Sequence, residues 1–149
     1  YKGIKKRFDI VQSNEKFVVI DDYAHHPTEI EATMKSIELY DNLTNFNNRI
    51  VLWQPHKYSR TADNLEGFKK CFRRCDELII LPLWTVAGEK KIDIDFAKEF
   101  AIYNPIFADR VVATKGKIEL IKDDKIIKTY DEGIFLGVGA GDITYQLRY

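Results

Sequence analysis

Three stretches of this 149-residue chain concentrate the side chains able to do chemistry. Asp21-Asp22-Tyr23-Ala24-His25-His26-Pro27 carries two carboxylates, a phenol and two imidazoles. Gln54-Pro55-His56-Lys57-Tyr58-Ser59-Arg60-Thr61 carries an imidazole, two cations and three hydroxyls, and Gly137-Val138-Gly139-Ala140-Gly141-Asp142 places glycines ahead of an acid. All three histidines lie in the first two stretches, and four of the eight glycines fall between 133 and 141. Taken singly, each has a plain structural reading: a His-His accident in a loop, Asp21 or Asp22 capping a helix, a solvated turn. Taken together at one edge of a sheet, they read as a site, because perturbed polar groups gather where ligands bind.

The elements around these stretches predict that common edge. Phe8 to Gln12 alternates, Ser13-Asn14-Glu15 breaks the pattern, and Lys16 to Ile20 is a continuous apolar run suited to a strand buried on both faces. Ile30, Met34, Ile37 and Leu39/Tyr40 then recur at helical spacing behind Pro27, with Glu29 and Glu31 in the first turn, so residues 27–42 read as a helix. Residues 49–54 read as a strand, 62–74 as an amphipathic helix on Leu65, Phe68 and Phe72, 76–83 as a strand and 93–103 as a helix. The charged stretch Lys117 to Lys128 reads as a further helix. Gly133 to Val138 is the last strand, followed by the opening turns of a helix that stops at Tyr149. Alternating strands and helices predict an α/β fold, a Rossmann-like doubly wound, mostly parallel sheet of about six strands with flanking helices. In such a sheet ligands bind outside the carboxyl ends of the strands, where the three stretches begin.

Composition narrows the class. With 45% hydrophobic and 31% charged residues, four prolines and eight glycines, the chain is an ordinary single globular domain spanning 1–149. Lys and Arg total 23 against 23 Asp and Glu, so no global charge draws nucleic acid or an anionic membrane, and any anion site is local. No apolar run approaches the ~18 residues of a membrane span, and no apolar segment follows the basic start as in a signal peptide. Cys71 and Cys75 read as reduced thiols on a helix-packing face, as in a cytoplasmic protein. The missing start methionine and the short final helix suggest a domain cut from a larger protein.

The glycines resemble a dinucleotide fingerprint, but that site needs a further strand ending in an acid ~20 residues on, and only eight residues follow Gly141. There is no G-x-x-x-x-G-K-[ST], so the chain cannot by itself cradle a nucleotide triphosphate in the P-loop manner.

These motifs closely resemble the Mur ligases, ATP-dependent enzymes that add amino acids to the peptidoglycan precursor, in their C-terminal domain. The resemblance rests on Gly3-Ile4-Lys5-Lys6-Arg7-Phe8, Asp21 to Glu29 as D-D-Y-A-H-H-P-T-E, Gln54 to Thr61 as Q-P-H-K-Y-S-R-T, Ala87-Gly88-Glu89, and Gly139-Ala140-Gly141-Asp142-Ile143, in family order across the chain. Q-P-H-x-Y-S-R-T favours the alanine-adding branch over the tripeptide-recycling ligase, which remains the alternative within the family. Two positions depart from the pattern: Lys57 replaces an arginine, and Thr85, preceded by Trp84, stands where an aromatic is common.

The resemblance implies a bacterial, cytoplasmic, three-domain ligase for cell-wall synthesis. A central P-loop domain in cis would bind most of the ATP and Mg2+, and an N-terminal domain the UDP-N-acetylmuramate. ATP would convert the muramoyl carboxylate to an acyl phosphate, which L-alanine's amine attacks. It further implies that His25, His56 and Arg60 take part in catalysis, that Tyr23, His25, His56, Lys57 and Arg60 bind substrate, that Asp22, Gly139 and Gly141 face the nucleotide, and that this domain alone holds no metal and is inactive. The residues leave two other classes open: a metal hydrolase using Asp21, Asp22, His25, His26 and His56, and a nucleotide-binding regulatory module without catalysis.

Overall fold

A computed structural model describes residues 7–149; residues 3–6 of the leading motif lie outside them. The chain runs as β1 (Asp9–Ser13), β2 (Phe17–Asp22), α1 (Pro27–Thr44), β3 (Arg49–Trp53), α2 (Tyr58–Asp63), α3 (Leu65–Cys71), β4 (Glu77–Ile80), α4 (Phe96–Glu99) with a 3-10 turn at Ala101–Tyr103, β5 (Ile106–Phe107), β6 (Arg110–Thr114), β7 (Lys117–Lys122), β8 (Lys125–Tyr130), β9 (Gly133–Val138) and α5 (Ile143–Gln146). β1 to β5 and β9 form a six-stranded sheet in the order β1-β2-β9-β3-β4-β5, parallel except for β1. β2 and β9 are buried throughout, which accounts for their unbroken apolar sequences.

Handedness explains which face each connection covers. From β2 to β3, β4 and β5 the chain moves one way across the sheet, and α1, α3 and α4 cover one face, packing Ile30, Met34, Phe68, Phe72 and Phe100 on Val18, Val51, Trp53 and Leu136. The return from β5 to β9 runs the other way, so a right-handed connection must cross the opposite face. That return is β6-β7-β8, an antiparallel sheet whose Val111, Ile118 and Leu120 pack with Ile143 and Leu147 on Val19, Leu52 and Phe135. Helices thus cover one face and a small sheet with α5 the other, a coarser α/β likeness than helices on both.

The helix expected over Lys117 to Lys128 is a β-hairpin. Ile118 and Leu120 are buried at alternate positions, and Asp123 and Asp124 both have positive φ, 51° and 60°, as a type I′ hairpin turn requires. The helix read over 62–74 starts earlier and is broken into α2 and α3 at Asn64, whose Nδ2 donates to Arg60 O at 2.9 Å and competes with the helical ladder. The helix read over 93–103 is one α-helical turn followed by a 3-10 turn. α1 matches its pattern closely, but its cap is His26, whose Nδ1 accepts from the Thr28 N–H at 3.2 Å while Glu29 completes a capping box.

Beneath the site Trp53 is packed by Phe68, Phe72, Phe96 and Phe100, ring centroids 5.0 to 5.9 Å away. Such pairs contribute about 0.5–1.5 kcal/mol each beyond area burial, so the end of β3 stands on a rigid base.

Candidate functional site

β9 lies between β2 and β3, and the register sets Asp22, Val138 and Trp53 in one row at the carboxyl ends of the three strands. The three polar stretches therefore start side by side. Backbone bonds join them: Gly139 N–H donates to Asp22 O (3.4 Å) and Gln54 N–H to Val138 O (3.0 Å). The loop after β4 makes a fourth wall, with Trp84 N–H donating to Pro55 O (2.7 Å) and Lys57 N–H to Trp84 O (2.8 Å).

Within this cluster the His25 ring lies 5.1 Å from Tyr23 and 6.3 Å from His56, both edge-on. His25 Nδ1 is 2.9 Å from Tyr23 O, so that nitrogen carries a proton and donates. Arg60 donates from a guanidinium nitrogen to His56 Nδ1 at 2.9 Å. Burial, then the charges of Arg60, His25 and Lys57, holds the His56 pKa below its ordinary 6.5. Neither Lys57 nor Arg60 has an ion-pair partner among the described residues; the arginine's polar contact is a neutral imidazole. Tyr23, His25, His56, Lys57 and Arg60 therefore come together as an anion-attracting group with half-buried rings.

Lys57 stands at φ 68°, ψ 133°, a conformation that L-residues with a Cβ avoid. Its carbonyl accepts from Thr61 N–H (3.2 Å) and Thr61 Oγ1 (2.8 Å), and its N–H is held by Trp84, so neighbours on both sides enforce the strain. Glu89 of Ala87-Gly88-Glu89 accepts from Ser59 N–H (3.1 Å) and Oγ (3.2 Å), tying that motif to the start of α2.

The glycines and aspartates take more internal roles. A Cβ on Gly139 would lie 2.9 Å from Gln54 O, and one on Gly141 2.5 Å from Gln54 Oε1 and 2.6 Å from Trp84 Cγ. Gln54 is buried, donates to Asp142 Oδ1 (2.7 Å) and accepts from Ile143 N–H (3.1 Å), locking the β3 and β9 loops together. Asp22 Oδ1 accepts from Ala24 N–H (2.9 Å) and Arg7 (3.3 Å), and its Oδ2 from Phe8 N–H (3.1 Å) and Thr33 Oγ1 (3.1 Å). Its carboxylate is fully occupied by its own chain. Asp21 faces the other side of the sheet and binds Thr144 Oγ1 (2.5 Å) and Arg148 (2.7 Å), which also reaches Asp9 (2.6 Å).

His26 is brought to α1 as its cap rather than to the cluster. The ligands of a hydrolase metal centre are thus divided among separate tasks, and no group of three His, Cys, Asp or Glu among the described residues could hold a metal ion. The residues present do not fit a magnesium site of their own. Trp84, Glu89 and Gln54 complete the cluster beyond the residues singled out from sequence. Their signal was motif membership and position just after a strand, without a role.

Comparison with known proteins agrees with the motifs. The model of the family "Mur ligase, glutamate ligase domain" matches residues 6–129. UDP-N-acetylmuramate–L-alanine ligase of Helicobacter pylori is 57% identical over 150 residues, covering 99% of this chain, and that of Campylobacter curvus 49% over 148. The chain spans about a third of the length of these relatives (33% and 34%). A crystal structure of a murein peptide ligase from Psychrobacter arcticus aligns over 96% of this chain and 28% of its own, with a TM-score of 0.56 at 14% identity, a likeness of fold. No helix among the described residues is long and apolar enough to cross a membrane. By the family model, by relatives matched over nearly its whole length and by the motifs at its strand ends, the chain belongs to the Mur ligase family.

Proposed function

We propose that this chain, residues 1–149, is the C-terminal domain of a UDP-N-acetylmuramate–L-alanine ligase, supplying the amino-acid side of its active site. The reaction joins ATP, UDP-N-acetylmuramate and L-alanine to give ADP, phosphate and the muramoyl-alanine amide. ATP supplies the phosphoryl group that activates the carboxylate; it is held mainly by a central P-loop domain in cis, with magnesium. The observation that carries the reading is the pair of cations without carboxylate partners, Lys57 and Arg60, beside His56. A guanidinium and an ammonium here suit the L-alanine carboxylate or a phosphate. His56, with its Nδ1 taken by Arg60, presents Nε2–H as a donor. His25, with its Nδ1–H donated to Tyr23 O, keeps Nε2 as an acceptor for the amine. Tyr23, beside His25, walls the methyl group.

On the nucleotide side, the backbone at Gly139 and Gly141 offers the approach, and Asp22 serves by holding the end of β2 in place. Much of the rate enhancement in such a site comes from positioning and charge neutralisation, so no strong base is needed. The isolated chain is inactive, because neither the P-loop nor the sugar site lies in it.

The test is amide formation by the full-length protein with UDP-N-acetylmuramate, ATP and L-alanine, against the tripeptide L-alanyl-γ-D-glutamyl-diaminopimelate. Turnover with L-alanine that exceeds turnover with the tripeptide supports the reading; turnover with the tripeptide alone replaces it with a recycling ligase.

A further inference from the structure

The segment ahead of β1 is bonded to the loop that carries His25. Arg7 directs one guanidinium nitrogen at Asp22 Oδ1 (3.3 Å) and the other at Glu29 Oε2 (2.9 Å). These two carboxylates also grip the loop between them. Asp22 Oδ1 accepts the Ala24 N–H (2.9 Å), and Glu29 Oε1 accepts the N–H groups of His25 (3.2 Å) and His26 (3.3 Å) and lies 3.7 Å from His25 Nδ1. Residues 23–26 are therefore held at both ends by acids that share one guanidinium. Arg7 is itself anchored by its neighbour: Phe8 donates its N–H to Asp22 Oδ2 (3.1 Å) and rests edge-on against Tyr40, centroids 5.8 Å apart.

We infer that Arg7 is a positioning residue: by bridging Asp22 and Glu29 it sets the course of residues 23–26, and so holds the His25 ring against His56. The inference rests on the ligase reading above. The fold does not depend on the bridge. Without Arg7, Asp22 keeps three donors from Phe8, Ala24 and Thr33, and Glu29 keeps the two loop N–H groups. What is lost is the tie between the two acids, hence the lateral position of the loop. A planar fork reaches two carboxylates at once, whereas a lysine ammonium on its single stem satisfies them less completely.

The experiment compares Arg7→Ala, Arg7→Lys and Arg60→Ala in the full-length protein by steady-state kinetics in L-alanine and in ATP, with thermal melts. Arg7→Ala should raise KM for L-alanine about five- to tenfold, leave KM for ATP within about twofold and move Tm by less than about 3 °C, and Arg7→Lys should recover part of the loss. If Arg60→Ala impairs alanine use while Arg7→Ala does not, the positioning role is overturned and the ligase reading stands. A loss that follows a fall in Tm, or that touches ATP and alanine equally, makes Arg7 an ordinary structural residue and also overturns it. If Arg60→Ala leaves alanine use unchanged, the ligase reading of the site fails and takes this inference with it.

Discussion

Arg60 and His56 meet through His56 Nδ1, 2.9 Å from the guanidinium. A guanidinium only donates, so this nitrogen must be unprotonated and the neutral ring carries its proton on Nε2. One contact thus sets the tautomer of the histidine and points Arg60 at the site. Removing Arg60 frees both.

Arg60→Ala in the full-length protein should cut kcat/KM for L-alanine about ten- to a hundredfold, the cost of a charge-assisted pair, while equilibrium stability changes by less than about 1 kcal/mol. Kinetics and urea unfolding measure the two sides. An alanine dependence equal to the parent's would remove Arg60 from the site.

The His56 pKa also gives a pH dependence of stability. Burial and its cationic neighbours lower it in the folded state, so below about pH 6.5 the unfolded chain takes up the proton first. Stability therefore rises with pH as far as the unfolded value and levels off above it. The destabilising contribution is complete only once the pH is below the folded-state pKa. His56→Gln should flatten the slope between pH 5 and pH 7, read from unfolding midpoints. An NMR titration should place the ring of His56 higher in Arg60→Ala than in the parent.

Lys57 combines a strained backbone with a cation in the cluster, and its substitutions separate the two. Lys57→Gly should stabilise the fold by about 1 kcal/mol, because glycine reaches φ 68° without a Cβ clash. The same change should weaken alanine use through the lost charge. Lys57→Arg should keep activity or raise it slightly, and Lys57→Glu should depress it strongly at low salt. Equal low-salt kinetics for Lys57→Glu and the parent would place the side chain outside the site.

The glycines after β9 are packing positions first. Gly141→Ala drives a Cβ to 2.5 Å from Gln54 Oε1 and 2.6 Å from Trp84 Cγ, and should cost about 1–3 kcal/mol. Gly88→Ala, with φ 82° and open space around it, should cost only backbone strain, about 1 kcal/mol. Chemical denaturation of the two variants tests the order, and a milder effect at Gly141 would contradict this packing.

Cys71 lies in the core, with its thiol pKa raised far above the ordinary range by burial, and that of Cys75 is pushed up to about 12 for the same reason. Both should react slowly with a thiol reagent at pH 7, at least tenfold slower than in denaturant. A burst of one thiol in the folded protein would show that the α3 end opens.

Residue types and their periodicity were enough to place β2, β3, β4, β9 and α1, because strands buried on both faces must be apolar throughout and α1 carries its cap and its apolar stripe locally. They also placed the polar loops at strand ends, since a parallel sheet puts all such ends on one edge. Three things were settled only by tertiary structure. The hairpin Lys117 to Tyr130 carries enough charge to resemble a solvated helix, and its buried Ile118 and Leu120 have meaning only against Val19 and Phe135 across the core. The separation of His26 from His25 depended on which ring α1 took as its cap. The employment of Asp22 and Gly141 within the chain depended on Arg7, Thr33, Gln54 and Trp84, which lie 11 to 87 residues from them in sequence. A sequence fixes what a side chain can bond to, but only the folded chain decides which of the competing partners, its own or a ligand's, arrives within reach.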